Sequence, residues 1–148
     1  GVQIGVDWEF SSAWTFGLDY NWQEGEDEME DGSISPARHV APTFGATHLR
    51  YNVNKLTLET NVRFQGEFTH DELAIGERNK TEIYAKDADG NTFAPSWYTW
   101  NFKSQYVLSN ALSVQFGVEN ITNQRYRPYS SGISGAGRNF VISVRGQF

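Results

Sequence analysis

The sequence contains no cysteine, which excludes a disulfide framework and any thiolate metal site. It has no run approaching the ~18 apolar residues of a membrane-crossing helix, and its mean hydropathy is −0.55. Basic residues are scarce: 12 Lys and Arg stand against 18 Asp and Glu, for a net charge of −6. With no basic cluster either, a nucleic-acid partner is not expected. No serine lies in a G-x-S-x-G context and no nucleophile–base–acid set is visible, so an enzyme is not expected and no cofactor is implied. None of this argues against a membrane β-barrel. There every second residue faces a polar lumen, so mean hydropathy stays low.

Alternation, by contrast, is plentiful. Period-2 patterning predicts seven strands and no helix of ordinary length. Their apolar faces carry Val2, Ile4, Val6, Trp8 and Phe10; Trp14, Phe16, Leu18, Tyr20 and Trp22; Thr47, Leu49, Tyr51 and Val53; Leu56, Leu58, Thr60, Val62 and Phe64; Tyr98, Trp100, Phe102, Tyr106 and Leu108; Leu112, Val114, Phe116 and Val118; and Phe140, Ile142, Val144 and Phe148. The opposite faces carry Asp7, Glu9, Asp19, His48, Arg50, Glu59, Arg63, Lys103, Glu119 and Arg145. Charges of both signs suit a polar wall paired across strands, not a one-sided ion ladder.

The connections alternate strictly. "SSA", "NVNK" and "SNA" are hairpin-length, whereas 23–41, 66–96 and 120–138 are long and polar. In an up-and-down antiparallel sheet, every short turn then lies at one end and every long loop at the other. That is the pattern of an outer-membrane barrel with periplasmic turns and extracellular loops. The aromatic residues sort by depth in the same frame. Trp8, Trp14, Tyr51 and Tyr106 lie toward the short turns, and Tyr20, Trp22, Tyr98 and Trp100 toward the long loops. Two such belts around an aliphatic band suit the two membrane interfaces, where a ring with a polar edge is best placed. The expected class is therefore all-β, an antiparallel transmembrane barrel segment in the bacterial outer membrane. The alternatives are a small self-contained barrel with a structural or adhesive role, and a soluble β-sandwich binding module.

Bacterial single-chain barrels close with an even number of strands. Seven strands imply either a further strand within "EIYAKDADGNTFAP" or a carboxy-terminal piece of a longer chain. The start of the sequence lacks a basic and apolar leader and begins in strand rhythm, which favours the second reading.

Several groups could carry chemistry. Glu24, Glu26, Asp27, Glu28, Glu30 and Asp31 crowd one stretch, but they lack the D-x-D-x-D-G order of a Ca²⁺ loop and read as a solvated loop. "DADGN" (87–91) reads as a hairpin turn within the second long loop, with Glu82, Ile83 and Tyr84 on one arm. Arg125, Tyr126, Arg127 and Tyr129 in the last long loop could recognise an anionic or aromatic ligand, and His39 and His70, in or beside long loops, could hold haem or an iron chelate. No metal site is expected, since the three histidines show no ligand spacing.

The chain resembles a known family over essentially its whole length, most specifically over its last thirty or so residues. "GVENITNQRYRPYSSGISGAGRNFVISVRGQF" is similar to the carboxy-terminal end of TonB-dependent outer-membrane receptors, which close with an "ENLTDxxY"-like segment, a Gly-rich loop and a terminal strand ending in Phe. The matching residues are Glu119, Asn120, Ile121, Thr122, Asn123, Tyr126, Gly137, Arg138, Asn139, Phe140 and Phe148. The resemblance implies that residues 1–148 are the last strands of a 22-stranded barrel, with the plug domain and TonB box elsewhere. It implies uptake of a scarce, bulky nutrient (ferric siderophore, haem, cobalamin or oligosaccharide) coupled to the TonB complex through the plug. It also implies that Phe140, Ile142, Val144 and Phe148 form a signal read by the barrel-assembly machinery. The implied partners are outer-membrane lipid, the receptor's own plug and upstream strands, TonB, and that machinery.

Overall fold

The computed structural model describes residues 1–147; Phe148, the last residue of the implied assembly signal, lies outside the described residues. In chain order the strands are β1 (Val2–Glu9), β2 (Trp14–Trp22), β3 (Glu26–Glu28), β4 (Ile34–Pro36), β5 (Phe44–Val53), β6 (Leu56–Gln65), β7 (Ala85–Lys86), β8 (Thr92–Phe93), β9 (Trp97–Ser109), β10 (Leu112–Glu119) and β11 (Asn139–Gly146). The seven expected strands form one antiparallel sheet in the order β1-β2-β5-β6-β9-β10-β11, each beside its neighbour in the chain. Among the described residues β1 pairs only with β2, and β11 only with β10.

Short turns are set by local chemistry. Ser11 Oγ accepts from the Ala13 and Trp14 amides at 3.2 and 3.1 Å. Asn54 takes φ 51° in the two-residue turn between β5 and β6, a left-handed conformation that asparagine tolerates better than most residues. Between β9 and β10 the register shifts at Leu112/Ser113, a bulge that leaves Leu108 without a ladder partner.

One face of the sheet is apolar and uncovered. Val2, Ile4, Val6, Trp8, Tyr98, Trp100, Tyr106, Phe116, Phe140, Ile142 and Val144 are all exposed. At the short-turn end, rings follow one another: Trp8–Phe10 at 5.3 Å, Phe10–Trp14 at 6.2 Å and Trp14–Tyr51 at 4.6 Å between centroids. At the other end Trp100 Nε1 donates to Thr60 Oγ1 at 2.5 Å, so its polar edge is satisfied within the wall. A continuous uncovered apolar face of this size marks a surface that lipid or a protein partner covers.

The rows of paired residues run obliquely. Trp8–Phe16–Leu49–Thr60–Phe102–Val118–Phe140 is one such row. It starts beside the short turn of β1 and finishes near the long-loop end of β11. A climb of about one residue per strand, at ~3.3 Å rise against ~4.8 Å spacing, corresponds to a tilt of ~30–35°, close to the inclination of strands that wrap a barrel. Close packing fixes this stagger locally. A Cβ at Gly45 would run into the Asp19 carbonyl oxygen and the Phe64 ring. Gly45→Ala is therefore expected to cost about 1–3 kcal/mol by forcing β2 from β5, measured as a lower urea midpoint of the refolded barrel; an unchanged midpoint would mean that the pair separates freely.

The long loops depart from expectation in two places. The acidic stretch is not only a solvated loop, for β3 and β4 pair as Glu26↔Pro36, Asp27↔Ser35 and Glu28↔Ile34. Gly32 at φ 80° turns the hairpin, and Asp31 Oδ1 accepts from the Ser33 hydroxyl and amide at 2.6 and 2.9 Å. Those Ser33 bonds hold the Asp31 carboxyl below its ordinary range. The DADGN turn does cap a hairpin, with Asp87 Oδ1 accepting from Asp89 N and Asn91 N at 3.0 and 2.8 Å. Its arms are β7 and β8, however, and Ile83 and Tyr84 precede them. Tyr84 instead buries its ring in a small core with Leu73 and Ala94, while its amide donates to the Lys80 carbonyl at 3.0 Å in the turn before β7.

Candidate functional site

The polar face of the sheet is stitched by side chains from adjacent strands. Arg50 Nε and Nη2 both donate to Glu59 Oε2, at 3.0 and 2.7 Å, and Glu59 stands opposite Lys103 in the register. Gln115 donates to Gln105 at 2.9 Å, and Asn101 Nδ2 to Asn61 Oδ1 at 2.9 Å. Arg50, Glu59, Lys103, Gln105, Gln115 and Glu119 border a hollow of about 600 Å³. The half-exposed ion pair adds little stability, but its alternating charge gives the wall a fixed pattern of donors and acceptors.

Above this wall the three long loops join. Leu73, Tyr84 and Ala94 form a core, against which Phe68, Ile83 and Tyr129 pack. Glu77 lies beside it, only 1% exposed. Its Oε1 accepts from Arg38 at 3.0 Å and Lys80 at 2.7 Å, and its Oε2 from the Tyr84 hydroxyl at 3.1 Å. Burial alone would raise the Glu77 pKa, but the hydrogen bonds from Lys80, Arg38 and Tyr84 outweigh it and hold the carboxyl below its ordinary value. Tyr84 is displaced upward by burial first, then by Tyr129 and the Glu77 carboxylate. Ser35 Oγ accepts from the Ile75 amide at 3.2 Å, a second tie between the first and second loops. The third loop is tied by Arg127, whose Nη1 donates to the carbonyls of Glu82 and Ile83, each at 2.7 Å.

The last loop is organised by asparagines. Asn120, at φ 49°, donates from Nδ2 to the Gln124 and Ala136 carbonyls at 2.8 and 2.9 Å and accepts at Oδ1 from Gln124 N at 2.9 Å. Its own amide donates to Asn101 Oδ1 at 2.8 Å. The buried Asn101 thus connects the wall to the loop. Asn101→Leu leaves the Asn120 amide without its acceptor and is expected to cost about 1–3 kcal/mol, read as faster hydrogen exchange across 120–138 with the sheet unchanged. Equal exchange in the variant would remove Asn101 from this role.

The proposed ligand-contact residues are brought together unevenly. Arg125, Tyr126 and Arg127 border a cleft of about 390 Å³, shared with Ile83, Tyr84 and Trp97. Arg125 is exposed there. Tyr126 packs on Trp97 at 4.5 Å and closely over Gly135, which leaves no room for a Cβ. Arg127 is engaged by backbone carbonyls, as above. Tyr129 joins the loop core edge-on to Phe68 at 5.3 Å. His70 Nδ1 lies 3.1 Å from the Thr92 carbonyl oxygen, within the second loop. His39 is exposed, at φ 65°, at the mouth of another pocket that also includes Arg63 and Tyr129. His48 lies on the polar face, its ring filling the space above Gly17. Among the described residues no three His, Asp or Glu side chains converge as a metal site.

Sequence reasoning did not single out Glu77, Gln65 or Trp97. Glu77 sits in "AIGERNK", where nothing distinguishes a buried carboxylate from a solvated one. For Trp97 there was a signal: it has the wrong parity for the apolar face of β9.

The chain matches solved structures over nearly its whole length. It aligns with the copper transporter OprC at a TM-score of 0.73 and 12% identity, covering 99% of this chain and 22% of that one. With the ferric enterobactin receptor PfeA from Pseudomonas aeruginosa the values are 0.69 and 14%, over 97% and 21%. With the siderophore receptor PiuA from Acinetobacter baumannii they are 0.63 and 16%, over 97% and 21%. The chain thus spans about a fifth of the length of the structures it matches. No family model and no curated protein matches it.

Proposed function

We propose that this chain, whose fold is that of the barrel of TonB-dependent outer-membrane receptors, is the carboxy-terminal part of such a receptor. The neighbours are transporters and receptors, not enzymes, and this chain's share of the work is wall, vestibule and closure. The observation that carries the reading is the joining of all three long loops into one body at one end of a two-faced sheet. Below that body lies a polar wall, and outside it an uncovered apolar face. Loops that served only to connect strands would have no need of a shared core and a buried carboxylate.

On this reading the loop end is extracellular, the short turns are periplasmic, and the apolar face meets outer-membrane lipid. Bare edges in a bilayer expose backbone groups at several kcal/mol each, so β1 and β11 pair with strands of the rest of the barrel. A plug and TonB supply energy coupling. The neighbours are described as taking copper or siderophores, and we take the ligand class to be a metal or metal chelate. Haem, cobalamin and oligosaccharides are the other arms of the test. Cells lacking the full-length protein should lose growth on one of these nutrients when it is limiting, and regain it on complementation. If a folded, surface-exposed receptor restores growth on none of them, the uptake reading fails.

A further inference from the structure

Directly below the loop body, two residues side by side across a strand pair each carry a buried donor with no acceptor among the described residues. Gln65 and Trp97 are register partners between β6 and β9. Gln65 is 7% exposed. Its Oε1 accepts from the Tyr129 amide at 2.9 Å, which fixes the amide orientation and leaves Nε2 as the opposite end. Among the described residues neither Gln65 Nε2 nor Trp97 Nε1 has a hydrogen-bond partner, though both atoms are buried. Buried donors are almost always satisfied, and leaving one unpaired costs about 1–3 kcal/mol. Two at adjacent positions therefore indicate an acceptor supplied from outside this chain segment.

The surroundings say what kind of acceptor. Gln65 and Trp97 line a pocket of about 430 Å³, together with Arg63, His39, Tyr129 and Ser130. Arg63 stands two residues from Gln65 on the same face of β6, diagonal to Trp97. It is exposed and makes no ion pair among the described residues. No aspartate or glutamate borders the pocket. An amide N–H, an indole N–H and a guanidinium make a donor-rich set with no carboxylate beside it, and His39, Tyr129 and Ser130 add groups that can also donate. Such a set repels cations and hydrated metal ions and suits oxygen atoms carrying negative charge, for which a guanidinium offers paired N–H groups.

We propose that this pocket is an oxyanion subsite, taking a carboxylate group of a small ligand that enters through the loop vestibule. The proposal rests on the receptor reading and sharpens it: the ligand presents carboxylate oxygens and not only a bare metal ion.

The test uses full-length protein in detergent micelles, with citrate as the probe and glycerol as an uncharged polyol control. Trp97→Phe removes the N–H together with part of the indole and keeps an aromatic ring to pack on Tyr126. Gln65→Glu keeps an oxygen for the Tyr129 amide but replaces the free donor with a negative acceptor. Each is expected to weaken citrate binding about tenfold or more, with glycerol binding to none of the three proteins, and both variants should keep the heat-shifted mobility of a folded barrel. Citrate binding of equal strength in wild type and both folded variants overturns the subsite, and so does wild-type binding weaker than about 10 mM. A structure of the whole protein in which another segment's carbonyl or carboxylate, or water alone, satisfies both donors also overturns it. Failure of the receptor reading looks different: citrate binding sensitive to both variants, in a protein whose loss affects no nutrient.

Discussion

In the full-length protein, Ile142→Arg is expected to destabilise the folded barrel by about 2–4 kcal/mol, while Ser143→Arg costs no more than about 1 kcal/mol. Ile142 is 74% exposed and stands beside Phe116 at the middle of β11 on the apolar face. An arginine there places its guanidinium in hydrocarbon, where no protein acceptor is within reach. Ser143 pairs with Gln115 on the polar face, where a long cationic side chain meets water and the mixed charges of the wall. Val144→Arg should fall between the two. It shares the apolar face, at 65% exposure, but lies nearer the short-turn rim, where the side chain can reach headgroups. Urea unfolding in lipid vesicles, with heat-shifted gel mobility as the folding readout, ranks the three. Equal losses for Ile142→Arg and Ser143→Arg would show that the sheet does not divide lipid from lumen.

Removing Arg38 and Lys80 together is expected to loosen the loop body by about 3 kcal/mol, more than Glu77→Gln, at about 1 kcal/mol. The asymmetry follows from burial. Arg38 and Lys80 keep contact with water, with side chains 55% and 33% exposed, whereas the Glu77 side chain is at 2%. Losing the carboxylate frees two cations that rehydrate. Losing the cations strands a buried anion with Tyr84 as its remaining donor. The pH dependence follows. Because the Glu77 pKa is lowered in the folded loops, its ion pairs stabilise them at pH above the ordinary glutamate range, and that contribution disappears as pH falls through the lowered value. In the Arg38→Ala/Lys80→Ala variant, burial dominates and raises the Glu77 carboxyl instead, so the dependence reverses: the loops loosen as pH rises through the ordinary glutamate range and tighten as it falls. Hydrogen exchange over 73–84 as a function of pH reports this. Profiles that run in the same direction in both proteins would contradict it.

The sheet could be read from the sequence because each strand carries its own period and each turn its own local chemistry. Strand ends moved by a residue or so, and the seven strands and their order followed from chain order alone. The loop body could not be read that way. Arg38, Glu77 and Tyr129 are far apart in sequence, sit in polar stretches with no period, and meet only through the fold. The β3–β4 hairpin was hidden for a different reason: carboxylates dominate its composition, and its three residue pairs are too few for alternation to register. Trp97 and Gln65 lay within recognisable strands, but the absence of a partner for each is visible only when every neighbour is in place.

Among the described residues, each strand of the main sheet pairs only with the main-sheet strand that precedes or follows it, which bears on how such walls diversify. A hairpin can be gained or lost by duplication or deletion, and the ladders on either side simply rejoin, so the wall tolerates change in units of two strands. The loop body follows the opposite rule. A deletion that removed β6, the 66–96 loop and β9 would leave a pairable sheet, but it would take away Glu77 and with it the anchor of Arg38 from one hairpin earlier. Heritable change in wall circumference is therefore cheap, whereas the three loops are constrained to vary together.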